Sequence, residues 1–187
     1  KTIFENVWEK KGQSAIIREI SYKTLSNSDK LLSLEISAEG CGAYCEGFER
    51  YYLFNPKTGN RLIIDSFLIK KGLLVLVDSL NSTRKAVISN QLNSIQDSLK
   101  KVGISGDNKQ RFEEMKEMYQ ACLDFKLDFR SVSNLNFKLD DSGIIIYSPR
   151  CSAHVNMALD ELWEIEYQIV FKDWSRFLTE YGKGSVK

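Results

Sequence analysis

Two short segments, far apart in the chain, hold most of the side chains able to bond through sulfur, hold a metal or move a proton. They are Gly40-Cys41-Gly42-Ala43-Tyr44-Cys45-Glu46 and Pro149-Arg150-Cys151-Ser152-Ala153-His154, which contain three of the four cysteines and the single histidine. Three chemistries fit these residue types. The first is a disulfide. Cys41–Cys45 would close a tight loop, and Cys151 bonded to Cys41 or Cys45 would close a long one, worth about 4–5 kcal/mol in the chain-entropy description. The second is a Cys3His zinc site, in which Cys41-x3-Cys45 and Cys151-x2-His154 supply four ligands of the right type. The third is a thiolate at Cys45 or Cys41 paired with His154 for acyl transfer. That chemistry also needs an orienting acid and an oxyanion hole, and only Asp160 and Glu161 lie nearby in sequence. Residue type and spacing leave the three open.

The plainer reading of each residue stands beside these. Cys122 falls on the apolar stripe of a helix, as a buried free thiol does. A single histidine often has a structural hydrogen-bonding role. Tyr44, Phe48, Tyr51 and Tyr52 form an aromatic group near the cysteine loop, and one outward row of it is a candidate contact surface for sugar or protein. Tyr44, Glu46, Arg150 and His154 are the candidate ligand contacts, with no catalytic role and no cofactor assigned. The Glu113-Glu114 and Lys116-Glu117 cluster reads as a solvated helix face.

Composition narrows the function classes. The 187 residues carry 26 basic and 25 acidic side chains. Such a balanced chain has no net field to draw it to nucleic acid or an anionic membrane. Its longest apolar runs, such as Leu73 to Val77, fall far short of the roughly 20 residues that span a bilayer. The chain begins at Lys1, and the expectation is a mature or trimmed fragment whose targeting signal preceded it.

Periodicity places these residues on elements. Leu32, Leu34, Ile36 and Ala38 alternate with polar residues, predicting a half-buried antiparallel strand over 31–39. Strands are also expected over 15–23 and 48–54, with a turn at Asn55-Pro56-Lys57-Thr58-Gly59 and a return strand over 62–67. The segment 73–80 fits either helix or strand. Ile88, Leu92, Ile95, Leu99 and Val102 predict a helix over 82–101 closed by Gly103, and Phe112 to Phe125 a second over 109–126. Strands follow at 135–139, 144–147 and 163–169, then a helix over 171–181. The order is that of a single α+β domain over 1–187, an antiparallel sheet of about five to seven strands with two long helices inserted between strand blocks and a short C-terminal helix.

With the strands placed, three stretches resemble an uncharacterised bacterial envelope family. They are Phe54-Asn55-Pro56-Lys57-Thr58-Gly59-Asn60-Arg61-Leu62, Asn136 to Ile144, and Trp163 to Leu178. This family includes the C-terminal domain of the anti-sigma factor RsiV and a domain that accompanies some peptidoglycan deacetylases. The likeness spans about 31–181. Where the family often has a Gly-Gly-Ala-His loop, this chain has Cys41-Gly42-Ala43-Tyr44-Cys45. The resemblance implies export, to the periplasm or the extracellular side, with a lipid anchor carried ahead of Lys1. It implies a non-enzymatic binding or sensing role toward an envelope protein or a cell-wall glycan. The alternatives are the cysteine–histidine hydrolase and the zinc-stabilised structural domain.

Overall fold

The computed structural model describes residues 16–41, 45–101, 105–152 and 154–185; the side chains of 16–18, 41, 46, 154, 155 and 185 fall outside that description. The fold is α+β, built from two antiparallel sheets and a set of helices. The sequence reading expects one domain; by its internal contacts the chain divides into two compact units, 1–62 and 63–187.

The first unit holds strands β1 (Ile16–Asn27), β2 (Leu32–Cys41), β3 (Cys45–Phe54) and β4 (Arg61–Leu62), in that order across the sheet. The β3–β4 turn follows its sequence. Asn55 Oδ1 accepts from the Lys57 amide at 2.9 Å, and Gly59 sits at φ 70°, where a side chain would be strained. The return strand is only two residues long. After Leu62 the apolar run has no period, and the Ser66 hydroxyl accepts from the Ile63 amide at 3.1 Å, so Ile64–Phe67 coils into a short helix, α1.

The strand register sets the two faces of the first sheet. Residues directly opposite share a face, which sets Leu34 with Tyr52 and Thr24, and Ala38 with Phe48 and Ile20. On β2 neither row is covered throughout: Leu32, Leu34 and Ile36 are half-buried while Ala38 on the same row is 7% exposed. On β3 the covered row is that of Tyr51 and Leu53, where Leu53 (1% exposed) lies opposite Ser33 (2%) and Leu62 (7%). Alternation fixes the period of a strand, whereas the neighbours across the sheet fix which row is covered.

The second unit begins with α1 and continues into α2 (Lys70–Leu99), a single 30-residue helix that takes in the ambiguous 73–80 and all but the last two residues of the helix expected over 82–101. Its inward stripe is Leu73, Leu76, Leu80, Arg84, Ile88, Leu92 and Ile95. Gly103, expected to cap it, lies outside the described residues. Helix α3 (Gly106–Cys122) packs on α2, giving a core of Ile88, Leu92, Ile95, Met115, Met118, Tyr119 and Cys122. A short helix, α4 (Phe129–Ser133), leads into β5 (Asn136–Leu139), β6 (Gly143–Ser148) and β7 (Ile165–Val170), a three-stranded sheet in that order. A 3-10 helix, His154–Leu159, joins β6 to β7.

The expected C-terminal helix is broken. Phe171–Trp174 (α5) runs into a 3-10 turn, Ser175–Phe177, and is parted from Glu180–Ser185 (α6) by extended backbone at Leu178 and Thr179, where the Ile69 amide donates to the Phe177 carbonyl and the Thr179 amide to the Phe67 carbonyl, each at 2.9 Å. Cross-chain hydrogen bonds here override a helical spacing of apolar residues. No helix among the described residues is long and apolar enough to cross a membrane.

Candidate functional site

The sulfurs are oxidised. Cys122, at the end of α3, is bonded to Cys151, with Cα atoms 5.5 Å apart and a sequence separation of 29. This corrects two expectations: Cys122 is not a free thiol, and the mate of Cys151 is Cys122, not Cys41 or Cys45. The reason is tertiary. The segment after β6 runs back over the α2–α3 core, where Cys151 packs beside the buried Cys122. Cys45 is disulfide-bonded as well, and the strand register sets Cys41 directly opposite it, although the Cys41 side chain lies outside the described residues. No described cysteine keeps a free thiol. A Cys3His zinc site needs Cys151 as a thiolate ligand, and a Cys–His nucleophile needs a thiolate at Cys45 or Cys41. The Cys122–Cys151 bond takes Cys151 out of that ligand set, and the bond at Cys45 takes Cys45 out of the thiolate role.

The four candidate contacts fare differently. Tyr44 lies outside the described residues. Glu46 pairs with Gly40 through its backbone, and the side chains of Glu46 and His154 are outside the description. Arg150 is half-buried, with its guanidinium 6.0 Å from the ring centroid of Trp163. Trp163 is 52% exposed and has φ 52°, a left-handed backbone that bulky residues avoid. A strained, solvent-facing tryptophan under a guanidinium is what contact surfaces use.

In the aromatic group, Tyr51 and Tyr52 take opposite faces of the first sheet. Tyr51 is 6% exposed. Phe48 and Tyr52 lie on the face of Ile20 and Tyr22, both well exposed, where Arg50 and Arg61 stack over Phe48 and Tyr52 at 5.9 and 5.1 Å.

The strongest electrostatic feature of the second unit was missed in the sequence. Arg84 sits mid-helix on the inward stripe of α2, between Leu80 and Ile88, and is 2% exposed. Its Nη1 donates weakly to the Ser148 hydroxyl (3.4 Å) and the Pro149 carbonyl (3.3 Å). Its Nε and Nη2 are buried with no hydrogen-bond partner, and no described carboxylate pairs with it. The Phe125 ring stacks on the guanidinium at 4.6 Å. Burial pushes the Arg84 pKa below its ordinary value. A signal was present: an arginine four residues from each of two apolar stripe positions cannot leave the core face without unwinding the helix. The helix reading had begun at 82, with its stripe at Ile88, and so passed over it.

A second buried polar group lies nearer the disulfide. Tyr119, fully buried, donates to Asp160 Oδ1 at 2.9 Å, while its oxygen accepts from the amides of Glu161 (2.8 Å) and Leu162 (3.2 Å). Burial, then the Asp160 hydrogen bond and charge, push its pKa up to about 12. The unfolded chain releases this proton near pH 10, and the native state keeps it. The contribution of Tyr119 to stability is therefore complete below about pH 10 and is lost as pH rises through about 12. Urea unfolding at about pH 9 and about pH 11 should show a smaller alkaline loss in Tyr119→Phe than in the parent; equal losses would remove Tyr119 from the account.

Comparison with known proteins bears on the fold. A crystal structure of a member of the DUF3298 family from Bacteroides fragilis is similar over 95% of this chain and 60% of its own length, with a TM-score of 0.51 and 16% identity. A DUF3298 family protein from Pseudomonas aeruginosa covers 87% of this chain and 62% of its own, at a TM-score of 0.48 and 10% identity. The chain thus spans about 60% of the length of these neighbours. No family model and no curated protein matches it. At this identity the first likeness is one of fold.

Proposed function

We propose that this chain is an exported, non-catalytic binding or sensing module of the bacterial cell envelope, with an envelope protein or a cell-wall glycan as its partner. The observation that carries this reading is the Cys122–Cys151 disulfide at the edge of the helical core. A core helix tied to a distant loop through sulfur suits a chain that matures where thiols oxidise. The finer assignment to RsiV-like envelope domains draws on the hairpin motifs at 54–62 and 136–144 and on the resemblance of 163–178. On that assignment the protein works in the periplasm or outside the cell, held by a lipid anchor ahead of Lys1.

The non-catalytic reading draws on the oxidised sulfurs, which leave no described thiolate to act as a nucleophile. The binding reading draws on two exposed aromatic–arginine groupings, Phe48 and Tyr52 with Arg50 and Arg61, and Trp163 with Arg150. Rigid aromatics beside arginines supply large contact energies in sugar and protein recognition. Tagged protein in its native host is expected in the envelope fraction with its cysteines oxidised. It should be captured by purified cell-wall sacculi or cross-linked to an envelope protein, with Trp163→Ala reducing capture roughly tenfold or more. Recovery from the cytoplasm with reduced cysteines would end the reading.

A further inference from the structure

A buried guanidinium with an idle edge needs an explanation, because protein interiors seldom hold an unpaired charge. Arg84 also lines a cavity of about 210 Å³. Lys85 and Lys126, both exposed, share that lining, and none of the lining residues is acidic. The remaining walls include Ile88, Leu123 and the Phe125 ring. Three cations with apolar walls and no acid describe a receptor for an anion with an apolar body. The volume is larger than the engineered apolar cavity of about 150 Å³ that holds a benzene ring.

The geometry of the guanidinium narrows the anion. Nη1 is committed to Ser148 and Pro149, which leaves Nε and Nη2. Their N–H bonds run parallel along one edge of the planar group, the arrangement that takes two oxygens of a carboxylate side by side. We propose that the Arg84 cavity is a binding site for a carboxylate carried on a small apolar body, either a free organic acid or the C-terminus of a peptide. Nε and Nη2 are closed to solvent while the half-exposed Phe125 ring stacks on the guanidinium, so that ring must move aside for the carboxylate to enter. The lysines attract the anion to the mouth, and the paired hydrogen bonds to Arg84 hold it. The proposal rests on the module reading only in treating the chain as a binder.

The test uses the whole chain and five probes, one of them inorganic phosphate. Benzoate stands for a free organic acid and N-acetyl-alanyl-alanine for a peptide terminus, each titrated beside its carboxamide while the Arg84 Nε–H resonance is followed by NMR. One of the two carboxylates should shift that resonance and bind at least roughly tenfold more tightly than its amide, and which one does so identifies the source. Arg84→Met should abolish the binding, and Arg84→Lys, which keeps the charge without the fork, should weaken it roughly tenfold. Arg84→Met should also melt no lower than the parent, because a methionine of similar length removes an unpaired buried charge. Equal binding of acid and amide, tighter binding of inorganic phosphate, or no shift with any probe would each overturn the proposal. A failed titration beside successful sacculus capture would strike this cavity alone and leave the module reading standing.

Discussion

Replacing Cys122 and Cys151 together by alanine should lower stability by about 3–4 kcal/mol and the melting temperature by roughly 10–15 °C. The 29-residue separation sets the scale, since opening that loop returns conformational freedom to the unfolded chain. The native state loses as well. Cys122 is 5% exposed in the α2–α3 core, so truncating it leaves a small void. The same bond holds the segment whose Pro149 carbonyl accepts from Arg84. Cutting it therefore loosens the Ser148–Pro149 segment that accepts from the Arg84 guanidinium, and carboxylate binding should weaken in parallel. Reduced wild-type protein compared with the reduced double variant separates the two contributions, because both then lack every sulfur bridge, the one at Cys45 included, and differ only in the side-chain volume removed. Melting that is unchanged by either route would show that the core carries the fold without its sulfur bridge. The result bears on export too, since a chain that needs this bond is poorly suited to a reducing compartment.

Gly143→Ala should have a comparable effect from a wholly different cause, a loss of about 3 kcal/mol or more. Gly143 opens β6 just after the Asp140 turn, whose carboxylate accepts from the amides of Ser142 and Gly143 at 2.8 Å. A methyl group placed there would overlap the Ile169 carbonyl oxygen and come within 2.9 Å of the Ile169 carbonyl carbon. These are backbone atoms of the paired strand, so nothing flexible can yield. Relief requires β6 and β7 to part, which uncovers Ile144, Ile146 and Ile169, each fully buried. The matching change Gly47→Ala has open space around it and should cost at most about 1 kcal/mol, as an internal control. Chemical unfolding of the two variants checks the contrast; equal stabilities would contradict the packing at β6–β7.

Much of the architecture is written locally. The alternation through Leu32–Ala38 and Leu135–Leu139 announces strands, the turn residues at Asn55–Gly59 and Asp140–Gly143 announce hairpins, and the steps from Ile88 to Ile95 and from Phe112 to Cys122 announce helices. Each is a pattern within a few residues, and each forms as read. Long-range pairing overrides such patterns where it competes. The expected C-terminal helix tightens to a 3-10 turn at Ser175–Phe177 and is drawn straight only at Leu178 and Thr179, by hydrogen bonds of the flanking backbone to Phe67 and Ile69. The two strand blocks likewise form separate sheets of four and three strands instead of one.

The site shows the same division more sharply. Composition and spacing determined that cysteines would matter, that Tyr51 and Tyr52 would sit among aromatics, and that the fold would be α+β. Which sulfur meets which depended on the chain between Cys122 and Cys151 folding back over the α2–α3 core, a contact that no local pattern encodes. Arg84 became a buried, half-satisfied cation for the same reason. Its helical position was legible from the residues alone, but only the packing of Phe125 and the 148–151 segment around it decided that it would have no carboxylate partner. Local sequence sets backbone preference and period, which act over a turn or a strand pair; burial and pairing of charge depend on residues that meet only when the whole unit closes.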